Sequence, residues 1–404
     1  DVVAGLTVGV MVVPQGMSYA KLAGLPVQYG LYGALFPVWA YAVFGSSRQL
    51  AVGPVAIVSL MLESGLSRIV GASDNDANSA LYENLAIQTS LLVAITYILL
   101  GLFRLGFVTV FLSHAVTSGF TTGASVIIGC SQLKYILGYD VPRSDVLHEM
   151  IKNFINGIGE FNYKTFLMGG SSLVVLVVLK YLGRRYPNKE WIRATGPLFV
   201  SSLSILVTYL GDLSDKGLPI VGTIPRGFPS CTAKPWFPLT HFGDLIGPAL
   251  GIAVVGFMES IAVAKQLASR HKYDLDSSTE LIGLGMANLA GAIFQSYPVT
   301  GSLSRSAVND DAGAKSRVSG IVTATLVGLV LLFLTSVFFY MPLSVLAAIV
   351  ISGVSALFDY GEAIYLWSVH KFDFFVWCAA FLGTMFLGVE IGLAIAVVLS
   401  LGIV

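Results

Sequence analysis

Two short stretches interrupt an otherwise apolar chain: Ala51-Val52-Gly53-Pro54 and Val299-Thr300-Gly301-Ser302. Each is typical of a short extended segment, and each contains a residue that can start a helix, Pro54 in the first and Ser302 in the second. The two stretches lie at equivalent places in the two halves of the chain. A helix that begins inside a membrane points its positive end and its free N–H groups into the protein. We therefore predict two half-helices, each preceded by a short β-strand.

The composition indicates a membrane protein. The chain of 404 residues is 55% hydrophobic and 11% charged, whereas soluble domains have roughly 25% charged residues. Uncharged stretches long enough to span a bilayer recur, for example at 2–20, 84–103 and 318–358. The 23 basic and 23 acidic residues cancel, so nothing points to nucleic acid as a partner. We predict an all-α, polytopic integral membrane protein.

Fourteen membrane elements are expected, seven in each half of the chain. They are 2–20, 29–44, 53–68, 81–102, 114–134, 163–183, 195–211, 246–264, 278–294, 301–310, 318–339, 343–358, 373–388 and 389–404. A proline-rich, non-cytosolic linker at 212–245 separates a first repeat, 1–211, from a second, 246–404. Because each half has an odd number of elements, the halves have opposite orientations, which is an inverted repeat. The stretch from Lys180 to Arg193, at the end of the sixth element, is rich in basic residues. Because cytosolic loops carry an excess of such residues, we expect the loop after the sixth element and both termini to be cytosolic.

No motif indicates an enzyme, a cofactor site or a metal site. Cys130, Cys231 and Cys378 are isolated, and the five histidines are dispersed, so neither a disulfide framework nor a metal cluster is indicated. The patterns H-E-x-x-H, G-x-S-x-G and G-x-x-x-x-G-K-[ST] do not occur. We expect a protein that is not an enzyme and that uses no cofactor.

Arg305 is the strongest candidate for binding an anion. It follows a long uncharged stretch and lies just after the second break, at a depth where a charge normally faces a cavity or a partner. Ser302 and Ser304 flank it with hydroxyl groups, and Val55 and Ala56 after the first break offer free backbone N–H groups. The alternative is an arginine whose side chain reaches from a helix end toward water.

Two polar residues of the first element are further candidates. Pro14 breaks this helix and leaves Gln15 among apolar neighbours, and Tyr19 follows four residues later on the same helical face. Their amide and phenol groups can donate hydrogen bonds to an oxyanion. The alternative is that they join neighbouring helices by hydrogen bonds.

The expected charge of the site favours a dianion. Two helix N-termini contribute roughly +0.5 each, and Arg305 adds one positive charge, so the sum is about +2. The candidate groups are mainly donors, and sulfate at neutral pH accepts hydrogen bonds but has no proton to donate. Hydrogen phosphate would require an acceptor as well. Sulfate is therefore the predicted ligand.

Glu259 lies in the eighth element, which corresponds to the first element in the other repeat. Desolvation disfavours an ionised carboxylate there unless a cation is near. Protonation of Glu259 would remove its repulsion with a bound dianion, so that protons and sulfate would bind together. The alternative is a structural ion pair with Arg305 or Lys265.

Four segments resemble the sulfate permease family, which also includes animal anion exchangers and the motor protein prestin. They are Gly5-Leu-Thr-Val-Gly-Val-Met-Val-Val-Pro-Gln-Gly-Met-Ser-Tyr-Ala-Lys-Leu-Ala-Gly-Leu-Pro26, Gly30-Leu-Tyr-Gly-Ala-Leu-Phe-Pro37, Ala51-Val-Gly-Pro54 and Gly301-Ser-Leu-Ser-Arg-Ser306. The resemblance covers the whole chain. It is greatest for the plant sulfate transporters, in particular their vacuolar-membrane group.

This resemblance implies seven plus seven inverted spans divided into a core and a gate domain. It also implies a homodimer, elevator-like movement of the core past the gate, and a C-terminal cytosolic regulatory domain that this chain lacks. By motif position, the anion site would be lined by Gln15, Tyr19, Val55, Ala56, Ser302, Ser304 and Arg305, with Glu259 as the proton-coupling carboxylate. Several animal relatives have an aromatic residue in place of Val55, so the contacts there differ.

The sequence therefore predicts a proton-coupled sulfate symporter whose partners are sulfate, protons, membrane lipid and a second copy of the chain. An electroneutral exchanger or a channel for chloride, bicarbonate or oxalate would share every feature except the need for Glu259.

Overall fold

The computed structural model describes residues 1–70, 76–106, 114–139, 141, 144, 146–185, 191–238 and 241–401. Within these residues the chain is mostly helical, with two strands of two residues each. The elements are α1 (Val2–Leu22), α2 (Gln28–Gly33), α3 (Phe36–Phe44), β1 (Val52–Gly53), α4 (Ala56–Val70), α5 (Asp76–Leu102), α6 (His114–Leu137), α7 (Leu147–Gly157), α8 (Tyr163–Arg185), α9 (Trp191–Leu210), α10 (Phe242–Arg270), α11 (Ser277–Ile293), β2 (Thr300–Gly301), α12 (Leu303–Asp311), α13 (Val318–Leu329), α14 (Leu343–Val354), α15 (Tyr360–Val369), α16 (Lys371–Leu387) and α17 (Val389–Leu401).

Five helical segments of the described part are long and apolar enough to cross a membrane. They are Val2–Leu22, Ser79–Leu102, Tyr163–Gly183, Phe242–Arg270 and Val318–Tyr340. Thr195–Leu210 and Leu343–Val354 are shorter apolar helices. These lengths fit the membrane class that the composition predicts.

The structure differs from the expected elements in three places. The expected span 29–44 is divided into α2 and α3, because Pro37 in the first turn of α3 has no N–H with which to continue the preceding helix. The helices α7 and α15 were not expected, because neither contains an uncharged apolar stretch of spanning length. The helix α8 extends to Arg185, so the first basic residues of the stretch from Lys180 to Arg193 belong to the helix and not to the loop. Residues 186–190 of that loop and 402–404 of the last element lie outside the described residues.

The linker between the two halves satisfies the backbone where α13 ends. After α13 the chain continues as a π-helical turn and a 3-10 turn up to Tyr340. The N–H of Val221 then donates to the carbonyl of Met341 at 2.8 Å, and the N–H of Leu343 donates to the carbonyl of Pro219 at 3.1 Å. The break before α14 therefore leaves these backbone groups paired, as burial in an apolar region requires.

An N-cap fixes the start of α11. The carboxylate of Asp276 accepts hydrogen bonds from the backbone N–H groups of Ser278 and Thr279, and from the Thr279 hydroxyl at 2.7 Å. The bond from the Thr279 side chain, followed by those from the backbone, lowers the pKa of this carboxyl. An aspartate before the first turn is a favoured helix start.

The strands β1 and β2 pair in an antiparallel sense. Val52 lies opposite Gly301, and Gly53 lies opposite Thr300. The N–H of Ser302 donates to the carbonyl of Ala51 at 3.0 Å and extends the pairing by one bond. Because the strands are antiparallel, α4 and α12 begin near one another and leave in opposite directions.

The helices pack as two groups. In the first group, α11 packs on α5 and α3, α1 packs on α13, and α10 packs on α5 and α4. In the second group, α6 packs on α14 and α16, and α8 packs on α14 and α9. The helix α1 also contacts α9 and α14, so the space between the groups lies beside α1.

The contact between α1 and α2 requires glycine. A Cβ added at Gly30 would lie 1.9 Å from the carbonyl oxygen of Gly16, which is a backbone atom that no rotamer change can move. We predict that Gly30→Ala lowers the stability of the folded protein by about 1–3 kcal/mol, the usual cost of overpacking, measured as a lower melting temperature in detergent. Gly129→Ala in α6 is the control, because no described atom apart from the neighbouring backbone of α6 lies within 4 Å of that Cβ. Equal melting temperatures for the two variants would contradict the packing argument.

Candidate anion-binding site

A cavity of about 220 Å³ lies between the two groups of helices, where α4 and α12 begin. Residues of α1, α4, α10 and α12 form one wall, and residues of α8, α9 and α14 form the other. Seven of the eight residues that the sequence singles out line this cavity: Gln15, Tyr19, Val55, Ala56, Glu259, Ser302 and Ser304. The fold thus brings together candidates from four separate segments of the chain.

Arg305 lies behind the cavity wall and is directed into the protein. Its exposed fraction is 1%. A Cβ added at Gly53 would lie 3.3 Å from its Nη2 atom, so the guanidinium lies against β1. None of its three side-chain nitrogens has a hydrogen-bond partner among the described residues. An arginine that reached toward water from a helix end would be exposed, and this one is buried.

The start of α12 is capped by its own serine. Ser302 has extended backbone geometry, and its Oγ accepts a long hydrogen bond of 3.5 Å from the N–H of Arg305. The hydroxyls of Ser302 and Ser304 lie 3.4 Å apart. One lone pair of Ser302 is therefore used for the cap, while its proton remains available for a ligand.

The start of α4 lies two residues later than the sequence indicates. Pro54 is not in the first turn, because β1 ends at Gly53 and the helix begins only at Ala56. The carbonyl of Val55 accepts from the N–H of Ser59 at 3.0 Å and from its hydroxyl at 2.8 Å. The N–H groups of the first turn of α4 have no carbonyl four residues earlier in the helix to bind, as at any helix start.

The hydroxyl of Ser260 on α10 holds β2 in place. The N–H of Gly301 donates to Ser260 Oγ at 2.8 Å, and the hydroxyls of Ser260 and Thr300 lie 2.6 Å apart. Thr300 also donates to the carbonyl of Gly256 at 2.5 Å. Glu259 is the neighbour of Ser260 in α10. These bonds therefore fix the position of Glu259 relative to the start of α12.

Asn288 on α11 holds the segment before β2. Its Oδ1 accepts from the N–H of Val299, and its Nδ2 donates to the carbonyl of the same residue, both at 2.9 Å. The sequence analysis did not identify Ser260, Thr300 or Asn288 as supporting residues. Ser260 and Asn288 could have been found in the sequence, because each is a polar residue inside an otherwise apolar helix.

Glu259 is half-buried beside the cavity. Its Oε2 atom is buried and has no hydrogen-bond partner among the described residues. Within those residues, no oxygen of Glu259 lies within 4.0 Å of a nitrogen of Arg305 or Lys265, so the structural ion pair is not formed. Glu259 and Arg305 still interact electrostatically at longer range.

Two further residues of the site were missed. Tyr297 is fully buried, and its hydroxyl lies 3.2 Å from Ser59 Oγ on α4. Lys180 lines the cavity from the opposite wall, where its ammonium donates to the carbonyl of Ser352 at 3.0 Å and to Ser355 Oγ at 2.9 Å. The expected element 163–183 contains Lys180, but the sequence analysis used this residue only as one of the basic residues that indicate orientation.

Paired half-helices beside a buried arginine, within a fold of membrane-spanning helices, define a membrane transporter. A family model described as the sulfate permease family matches residues 1–380, and the chain belongs to this family. Proteins of this family are transporters and not enzymes.

Two plant proteins are similar over the whole chain. A probable sulfate transporter 4.2 from Arabidopsis thaliana is 47% identical, and sulfate transporter 4.1, chloroplastic, from the same plant is 45% identical. The low affinity sulfate transporter 3 of Stylosanthes hamata is 37% identical. The chain spans 58% of the length of the two Arabidopsis relatives.

Solved structures share the fold. The murine anion transporter Slc26a9 in its inward-facing state superposes with a TM-score of 0.93 at 29% identity, covering all of this chain and 68% of that one. The transmembrane domain of the cyanobacterial bicarbonate transporter BicA superposes with a TM-score of 0.81 at 19% identity, covering all of this chain and 97% of that one. The latter likeness concerns the fold alone.

The close approach of Gly53 to Arg305 yields a prediction. Gly53 has a φ of +150°, which side chains rarely adopt, and a Cβ there would lie 3.3 Å from the guanidinium. We expect Gly53→Ala to displace Arg305 and to lower anion uptake by about tenfold or more, in line with the roughly 1–3 kcal/mol of such strain.

Gly222→Ala is the matched control for this variant. Gly222 has a φ of +80°, but no described atom apart from its two chain neighbours lies within 4 Å of an added Cβ. It should retain normal uptake in proteoliposomes, and normal uptake by Gly53→Ala would contradict the expected displacement of Arg305.

Proposed function

We propose that the whole protein carries sulfate across a membrane together with protons. The observation that supports this most strongly is the guanidinium of Arg305, which is buried and has no hydrogen-bond partner among the described residues. A buried charge without a partner is costly. An anion in the adjoining cavity would supply the missing counter-charge, at the point where two helix N-termini meet.

The donors around the cavity fit sulfate in particular. Gln15, Tyr19, Ser302 and Ser304 offer amide or hydroxyl protons, and Lys180 adds a second positive charge on the opposite wall. A doubly charged ion with acceptor oxygens only matches this set. The names of the plant relatives, which describe them as sulfate transporters, support the same substrate.

Glu259 is proposed as the proton-coupling residue. At about 8 Å and an effective dielectric constant of about 20, a carboxylate and a dianion repel each other by roughly 4 kcal/mol. Protonation removes this repulsion, so each ligand favours binding of the other. The unpaired, buried Oε2 atom of Glu259 beside the cavity supports this role.

The two groups of helices are proposed to be the core and the gate of a seven-plus-seven inverted repeat. The core would contain α1 to α5 and α10 to α13, and it would carry the site past the gate in an elevator-like movement. With the termini cytosolic, Lys180 and Ser352 lie near cytosolic helix ends, so the cavity would open inward. The similarity to a transporter solved in an inward-facing state agrees with this orientation.

The location and assembly of the protein remain predictions. We propose a homodimer that is surrounded by membrane lipid. The vacuolar membrane of a plant cell is the proposed location, although one of the Arabidopsis relatives is described as chloroplastic. Tagged protein in isolated vacuoles and chloroplasts would decide between the two membranes.

The role of Arg305 is tested by labelled sulfate uptake into proteoliposomes. We expect Arg305→Ala to lower uptake by about a hundredfold, because a buried charge-assisted contact to an anion contributes roughly 1.5–3 kcal/mol. Arg305→Lys keeps the charge but not the planar donor group, so its uptake should lie between that of Arg305→Ala and that of the unaltered protein. Uptake by Arg305→Ala at the level of the unaltered protein would contradict the proposed site.

The role of Glu259 is tested by the pH dependence of the same uptake. Glu259→Gln mimics the protonated form, so uptake should no longer rise as the external pH is lowered, while sulfate binding persists. Glu149→Gln on the exposed α7 serves as the control and should keep the acid stimulation. If Glu259→Gln keeps it as well, the protein is not a symporter coupled through this residue, and the exchanger or channel becomes the better description.

A further inference from the structure

Asp310 is a buried carboxylate at the opposite end of α12 from Arg305. Its side chain is 3% exposed, and its Oδ2 atom lies 2.7 Å from Nη1 of Arg270. Its Oδ1 atom lies 2.5 Å from Nε2 of His271. Arg270 is also 3.8 Å from the carboxylate of Asp311. We call Asp310, Arg270 and His271 the end cluster.

The end cluster offsets an unfavourable charge arrangement. The C-terminus of a helix carries a partial negative charge, so acidic side chains there are destabilising, as is a cation at the N-terminus. The short helix α12 has Arg305 in its first turn and Asp310 in its last, which is unfavourable at both ends. The cations of α10 stabilise the C-terminal end.

The end cluster also completes the attachment of α12 to α10. Near the cavity, Ser260 of α10 holds Gly301 just before α12. At the far end, Arg270 and His271 of the same helical arm hold Asp310. The helix α12 is therefore fastened to α10 on both sides of Arg305, and it cannot slide along α10 unless one of these attachments breaks.

Other elements hold the far end of α12 as well. Asn309 Nδ2 donates to the carbonyl of Gln49, just before β1, at 2.9 Å, and to Ser319 Oγ on α13 at 3.1 Å. The segment before β1 is thus connected to the same end of α12. A shift of α12 would disturb both strands, and β1 is the strand that lies against the guanidinium.

We propose that the end cluster positions Arg305: it fixes α12 along α10 and so holds the guanidinium at the height of Glu259, which sets the affinity for the anion. This inference rests on the proposed function. Asp310 is buried and is not among the residues that line the cavity, so it is a positioning residue and not a ligand.

Electrostatics and positioning predict opposite signs for one variant. Asp310→Asn removes a negative charge, so through the electric field alone it would strengthen the binding of an anion. If Asp310 positions Arg305, the same change weakens binding. Arg270→Gln weakens anion binding whether the effect arises from the electric field or from positioning. If the end cluster had a purely structural role, the variants would lower the amount of folded protein without a change in affinity.

The experiment is a sulfate titration of the purified whole protein, with the dissociation constant as the readout. We expect Asp310→Asn and Arg270→Gln each to raise the Kd by about tenfold, the effect of losing one charge-assisted hydrogen bond. The double variant should be no weaker than the worse single one, because both remove the same contact. Arg270→Lys should recover most of the affinity.

Asp244→Asn is the matched control. Asp244 pairs with His241 at 3.5 Å at the start of α10, so it has the same chemistry on the same helix, at the end away from the cluster. It should leave the Kd unchanged. A tighter or unchanged Kd in Asp310→Asn would overturn the proposal.

The exposed Arg270 provides a second test if Asp310→Asn does not fold, because its side chain is 64% exposed. An unchanged Kd in Arg270→Gln would then overturn the positioning role. If the unaltered protein binds no sulfate, the proposed function itself is wrong.

Discussion

The structure depends on holding one positive charge inside an apolar protein. Burial of a guanidinium without a protein counter-ion is unfavourable, and Arg305 has no hydrogen-bond partner among the described residues. In the proposed function, an anion in the adjoining cavity supplies the counter-charge that Arg305 lacks within the described residues. The antiparallel pairing of β1 and β2 fulfils the geometric condition, since it places the first turns of α4 and α12 beside the same cavity.

Short polar contacts keep this arrangement rigid. Two residue pairs of strand, with so few hydrogen bonds, would not persist alone in water. Here Ser260 and Asn288 supply side-chain hydrogen bonds to the backbone of β2 and the residue before it. In apolar surroundings such bonds have no water to compete with, so each polar group must be paired within the protein. The rigidity of the site therefore comes from α10 and α11 more than from the strands.

The cavity lies between two helix groups rather than within one. Most of the candidate ligands belong to the first group, whereas Lys180, Ser352 and Gly353 come from the second. The two groups approach each other closely at one point, where a Cβ added at Gly353 would lie 3.2 Å from the hydroxyl of Tyr19. A site whose charge resides in one group can be exposed to either side when that group moves relative to the other.

The sequence by itself determined the membrane class, the approximate elements, the two breaks and the lone arginine between apolar segments. These features are local, because hydropathy, helix-breaking residues and caps act over a few residues. Only the tertiary structure decided that Gly53 lies against Arg305, that Lys180 faces the cavity, and that Asp310 meets Arg270 and His271. Each of these contacts joins segments on different helices or strands, and their proximity is set by packing, which no short stretch of sequence encodes.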